Sequence, residues 1–211
     1  MYEFSSKTKV DQKFKLSDLL KLIHASKEIK QEATNIESVQ MINAISQQTT
    51  GLEPSDDVNE IYIIEVTLSS ESVPINFIKE LDKTIQFQVL YKIVCKDKVK
   101  WLSGPKNIVD GKVSQSKHFE TEWEADTKRE LPLTNSLTEI YKQILIQLTN
   151  LQFRPNESIK EWEQRYTNIE HLKKEFEKTD KLAKAETQPK KKFAYNDKLR
   201  EIYQKIRELR E

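Results

Sequence analysis

Residues 77 to 94 read FIKELDKTIQFQVLYKIV, and the spacing of their apolar residues changes midway. Phe77, Ile78, Leu81 and Ile85 recur at helical steps, which places them on one side of a helix. From Gln86 the period falls to two: Phe87, Val89, Tyr91 and Ile93 alternate with Gln88, Leu90, Lys92 and Val94, as in a long strand. Asp82 and Lys83 fall where the period changes. They read as the joint between the two elements, with Lys83 suited to the negative end of the helix dipole.

Working outward, EIYIIEVTL at 60–68 is short, β-branched and apolar on both faces, the pattern of a central buried strand. Pro74 opens the helix that follows it. On the other side, Lys96-Asp97 makes a tight turn into VKWLS, 99–103, which completes a hairpin, and Asp110-Gly111 marks a second turn. In KHFETEWEAD, 117–126, Phe119, Thr121 and Trp123 alternate with Glu120, Glu122 and Glu124, a strand with one wet face. Residues 1–16 lack a clear period and read as an arm or edge segment, after which Ser17 caps a short helix, SDLLKLI. Ile29, Ala33, Ile36, Val39, Ile42 and Ile45 then recur at three and four and predict a helix from Lys27 to Gln47, ended by Gly51 and Pro54.

Ser136 and Glu139 form a Ser-x-x-Glu capping signal before the helix SLTEIYKQILIQLTN, and Ser158 and Glu161 repeat it. Beyond Ser158 the character changes. Ile159, Trp162, Tyr166, Ile169, Leu172 and Phe176 make a narrow stripe on a highly charged helix, Pro189 interrupts it, and Tyr195, Leu199, Ile202, Ile206 and Leu209 continue on a final helix. The expected organisation is an α+β core domain over 1–157, a small and mostly antiparallel sheet with covering helices. A coiled-coil-like antiparallel helical hairpin follows over 158–211.

Composition narrows the function. Of the 211 residues, 36% are hydrophobic and 33% charged, so much of the chain is solvated surface. The three glycines, Gly51, Gly104 and Gly111, are too far apart for a phosphate-cradling loop. The net charge of +1 is uneven: from Ser158 onward there are 15 Lys and Arg against 11 Asp and Glu, and before it 20 against 23. One cysteine, Cys95, excludes an intramolecular disulfide, and with no signal-like start the expected compartment is the cytoplasm. No apolar run approaches the length of a membrane span.

Several stretches together resemble a bacterial family known only as domain of unknown function 4391. They are TTGLEPSDDVNEIYIIEV, ELDKTIQFQVLYKI, HFETEW, FRPNESIKEW and FAYNDKLREI. The chain departs from the family habit at Gln86, where a Pro is usual. The resemblance implies no activity and no catalytic residue. It does imply a neighbourhood, since members tend to be encoded beside DNA methyltransferase and helicase genes of restriction or phage-defence type.

In that setting a metal-dependent nuclease is the first enzyme to weigh, needing an acid and then an acid-x-Lys on adjacent strands. Asp110-Gly111-Lys112 has the spacing, but Asp-Gly reads better as a turn. Glu65, an acid inside a buried strand, needs a partner or a ligand. His24, His118 and His171 are scattered without metal-ligand spacing, and no Gly-x-Ser-x-Gly pattern occurs. The expectation is therefore a protein without catalytic residues, cofactor or metal. It docks a larger methyltransferase, helicase or ATPase as an accessory subunit of a DNA-modification or phage-defence assembly, through Trp162, Tyr166, Ile202 and Ile206. Two alternatives stand beside it: a divergent nuclease using Glu65, Asp110 and Lys112, and DNA binding by the basic turn Lys190, Lys191 and Lys192.

Overall fold

A computed structural model describes residues 5–55, 58–109, 112–115, 117–127 and 134–211. The chain divides into two compact units, Met1–Asn150 and Leu151–Glu211.

In the first unit, strands β1 (Lys9–Phe14), β2 (Ile36–Ser46), β3 (Glu60–Leu68), β4 (Gln88–Cys95) and β5 (Lys98–Ser103) lie side by side in that order. The outer side of β5 is completed at its two ends by β8 (Phe119–Glu120) and β9 (Glu124–Ala125). Among the described strands, β3 and β4 alone run parallel, because the helix α4 (Ile75–Thr84) carries the chain back between them. All other neighbours are antiparallel, and β6 (Lys106–Val109) and β7 (Lys112–Gln115) pair as a separate ribbon. The Asp110-Gly111 turn expected in that ribbon lies outside the described residues.

One sheet face presents Val39, Ile64, Val66, Val89, Tyr91 and Ile93 to α1 (Leu16–Leu22) and α4, which contribute Leu19, Phe77, Ile78 and Leu81. The other carries Ile61, Ile63, Leu90 and Trp101, all buried. Here α5 (Leu137–Thr149) meets the sheet, with Tyr141 Oη 3.2 Å from Ser103 Oγ. The sheet is thus covered by helices on both sides, which is why its central strands carry apolar residues on both faces.

The helix expected from Lys27 to Gln47 is instead a six-residue helix, α2 (Lys27–Glu32), followed by the eleven-residue strand β2. The reason lies in two irregularities of pairing with β3, between Ile36 and Ser38 and between Met41 and Asn43. Each inserts one residue and turns a same-face step of two into a step of three. Ile36, Val39, Met41 and Ala44 face one side at steps of three, two and three. The first irregularity makes Ile36 to Val39 look like a helical step, but Ile45 pairs with Ile61 on the opposite face, so the run Ile36, Val39, Ile42 and Ile45 is not one stripe. A four-residue helix, α3 (Gln47–Thr50), follows and closes on Gly51, whose φ of +75° is the left-handed conformation glycine adopts without strain.

Two smaller expectations also change. The 117–126 strand is broken into β8 and β9, and α1 starts after Lys15 rather than on a Ser17 cap. Ser17 Oγ instead lies beside Asp18.

The second unit consists of the segment 151–158, the helix α6 (Ile159–Ala185) and the helix α7 (Pro189–Arg210). The two helices pack as a hairpin. Ser158 and Glu161 form the reciprocal capping box that opens α6, and Pro189 occupies the first turn of α7, where its missing N–H costs nothing. Among the described residues, no helix is long and apolar enough to cross a membrane.

Candidate interaction surface

The base of the hairpin is built around Trp162. Its indole is fully buried, stacked between Phe153 at 4.9 Å and Tyr166 at 5.8 Å, and Nε1 donates to the Leu151 carbonyl at 3.1 Å. The first residues after Asn150 are therefore drawn against α6. Burial lifts the Tyr166 hydroxyl above its ordinary pKa.

Beside the stack lies a buried Arg165. Its Nε and Nη2 donate to the two Glu157 carboxylate oxygens at 2.6 and 2.7 Å, Nη2 also reaches the Gln152 carbonyl at 2.6 Å, and Nη1 reaches the Leu209 carbonyl at 2.7 Å. Arg154 adds a bond from Nη2 to the Glu208 carbonyl at 2.6 Å. The last turn of α7 leaves its carbonyls without helical partners, and two guanidiniums supply them. Burial raises the Glu157 pKa, but the bonds from Arg165 and the Arg154 amide outweigh it and hold the carboxyl below its ordinary range.

Away from this base, Thr179 and Ala183 on α6 are buried while several side chains of the hairpin are exposed. Lys190, Lys191 and Lys192 are all exposed in the first turn of α7, which holds no acidic residue. Phe193 next to them is 64% exposed, Leu182 near the end of α6 is 45% exposed, and Tyr203 on α7 is 63% exposed. The expected docking residues divide. Trp162 and Ile202 are buried, whereas Tyr166 and Ile206 keep part of their surface accessible.

The first unit holds two charge clusters, each built around a buried side chain, Asp82 in one and Lys92 in the other. Asp82 lies on the inner side of α4, 1% exposed, and its carboxylate meets Lys106 Nζ at 2.7 Å, Tyr91 Oη at 3.0 Å and His118 Nε2 at 3.0 Å. Lys106 Nζ also donates to the Ile85 carbonyl, and the Gln88 amide brackets the Lys106 backbone. Burial depresses the Lys106 pKa despite the attraction of Asp82, and burial together with that same carboxylate pushes the Tyr91 hydroxyl well up. Lys83 points away and pairs with Glu80 at 2.6 Å. The two residues that looked like one joint therefore do different things.

In the second cluster, Lys92 on β4 is 5% exposed and sits 3.2 Å from Glu65 on the adjacent β3 and 3.0 Å from Asp126. Burial raises the Asp126 pKa, but Lys92 is among the influences that bring it below its ordinary value. Glu65, half-buried, thus has a cationic partner in Lys92. Of the other residues in the nuclease reading, Lys112 belongs to the separate ribbon and Asp110 lies outside the described residues. Among the described residues, no group of three or more His, Cys, Asp and Glu is placed to hold a metal ion.

Both Asp82 and Arg165 had a sequence signal. Asp82 follows Ile78 by four, and Arg165 stands between Trp162 and Ile169 at steps of three and four. Each is a charge on the apolar stripe of its helix.

The family model described as Domain of unknown function (DUF4391) matches residues 4–206. The chain belongs to that family. No curated protein and no solved structure matches it. As the DUF4391 match spans both units, the sheet and the hairpin belong to one family architecture.

Proposed function

We propose that this protein is a cytoplasmic accessory subunit that docks a larger methyltransferase, helicase or ATPase of a DNA-modification or phage-defence assembly, using the exposed side of its C-terminal hairpin. One observation carries the reading: Leu182, Phe193 and Tyr203, three of the four large hydrophobic side chains found exposed among the described residues, lie on α6 and α7. Aromatic side chains left in water on a charged helix pair are the usual anchors of a protein interface. Of the residues expected to dock, Tyr166 and Ile206 are also partly accessible, while Trp162 and Ile202 are buried. The test is affinity capture of the products of adjacent genes by the full chain, repeated with Phe193→Asp and Tyr203→Asp. Capture by the wild-type chain and its loss in both variants is the expected result; a wild-type chain that captures none of these proteins removes the reading.

A second reading, direct DNA contact, is favoured by the three exposed lysines of the first α7 turn, where phosphates reward clustered charge. Replacing Lys190, Lys191 and Lys192 together by Ala is expected to weaken binding to a duplex oligonucleotide and flatten its dependence on salt, measured by fluorescence anisotropy. An unchanged affinity and slope rejects it.

A further inference from the structure

A groove of about 580 Å³ runs between the two helices of the hairpin. Its polar lining comes from three places in the chain: Arg154 before α6, Asn168 and His171 on α6, and Lys205 on α7. Leu172 and Leu209 supply its apolar lining, and Asn168 supplies an amide. The volume lies within the roughly 300–1,000 Å³ usual for ligand sites.

We propose that this groove binds an acidic, apolar-spaced segment of a protein partner, a carboxylate lying between Arg154 and Lys205 and a neighbouring aliphatic side chain on the leucines. The inference rests on the docking reading above and names the chemistry of what docks. The cations suit a carboxylate because charge-assisted bonds to guanidinium and ammonium are short and strong. Arg154 spends Nη2 on the Glu208 carbonyl, a bond that fixes the guanidinium at the lip of the groove before a ligand arrives. The amide of Asn168 suits a peptide backbone, having both a donor and an acceptor.

Glu208 also lines the groove, and its carboxylate accepts from Gln204 Nε2 at 3.1 Å. The leucines reward an apolar neighbour that inorganic phosphate and a nucleic acid backbone lack.

The experiment uses the full chain and a fluorescein-labelled hexapeptide of alternating glutamate and leucine, with a glutamine-leucine peptide of the same length as control. Anisotropy is expected to report binding of the acidic peptide only, with Lys205→Glu weakening it about tenfold or more and His171→Gln by less. Both side chains are exposed, so an unchanged circular dichroism spectrum is expected to accompany the loss. Inorganic phosphate and a duplex oligonucleotide are expected not to displace the peptide. Equal binding of the glutamine peptide, displacement by either competitor, unaltered affinity in Lys205→Glu, or no binding at all overturns the inference. Partner capture separates the two ideas. If Lys205→Glu still captures the adjacent-gene products, the groove inference falls and the docking reading stands; if the wild-type chain captures none, the docking reading falls however the peptide behaves.

Discussion

The two units bury charge in opposite ways. Asp82 gathers Tyr91, Lys106 and His118 from residues 9, 24 and 36 positions further along the chain, so its cluster forms only when the sheet, α4 and the segment leading into β8 come together. Arg165 takes Glu157 from eight positions before it and then grips the far end of α7 at Leu209, 44 positions after it. The first arrangement sits inside a layered core; the second is a clasp at one end of a hairpin. A buried ion pair contributes little net stability over an apolar substitute, yet is expensive to break from one side. Both sites should therefore be structural weak points of very different reach.

The largest effect is expected at Asp82. Asp82→Ala leaves Lys106 buried without its counter-charge, and a loss of about 4 kcal/mol is expected in urea unfolding followed by Trp fluorescence. A loss under 1 kcal/mol would show that Asp82 is not the hub its geometry describes.

Glu157→Gln should cost about 3 kcal/mol, because Arg165 keeps its carbonyl bonds and loses its anion. Hydrogen exchange sharpens the comparison: the gain in exchange should stay within 151–211 for this variant and spread through the sheet for Asp82→Ala.

The pH arm follows from the direction of the Glu157 shift. Its folded pKa is depressed below the ordinary 4.5, so the unfolded chain takes up the proton first. The clasp's contribution is fully present above that value and is lost as pH falls through the folded pKa. Acid should open the 151–211 amides earlier in wild type than the sheet amides, and the Glu157→Gln variant should lack that step.

The smallest effect is expected at Ser158. Its hydroxyl accepts from the Glu161 amide at 3.2 Å while Glu161 returns a bond to the Ser158 amide at 2.9 Å, and Ser158→Ala should cost about 1 kcal/mol. A cost matching that of Glu157→Gln would mean that the cap, rather than the clasp, holds the base of the hairpin.

Legibility followed the range of the interactions. The capping box at Ser158, the strand at 60–68 and the turn at Lys96-Asp97 were plain because each depends on neighbours within a few residues. β2 was hidden because Ile36, Val39, Ile42 and Ile45 recur every three residues, and only pairing with β3 shows Val39 and Ile45 on opposite faces. The groove was illegible for a related reason. Arg154, His171 and Lys205 form no motif in sequence; the turn at 186–188 folds α7 back along α6 and gives the three a common wall.

The sequence by itself therefore determined the α+β class, the buried central strand, the helix starts at Ser136 and Ser158 and the charged hairpin, since local period and capping chemistry act over single turns. Tertiary structure alone decided that Asp82 turns inward while Lys83 turns out, that Glu65 meets Lys92, and that two arginines hold the end of α7. A buried charge is tolerable only beside its counter-charge, and these counter-charges are brought close by the fold rather than by spacing along the chain.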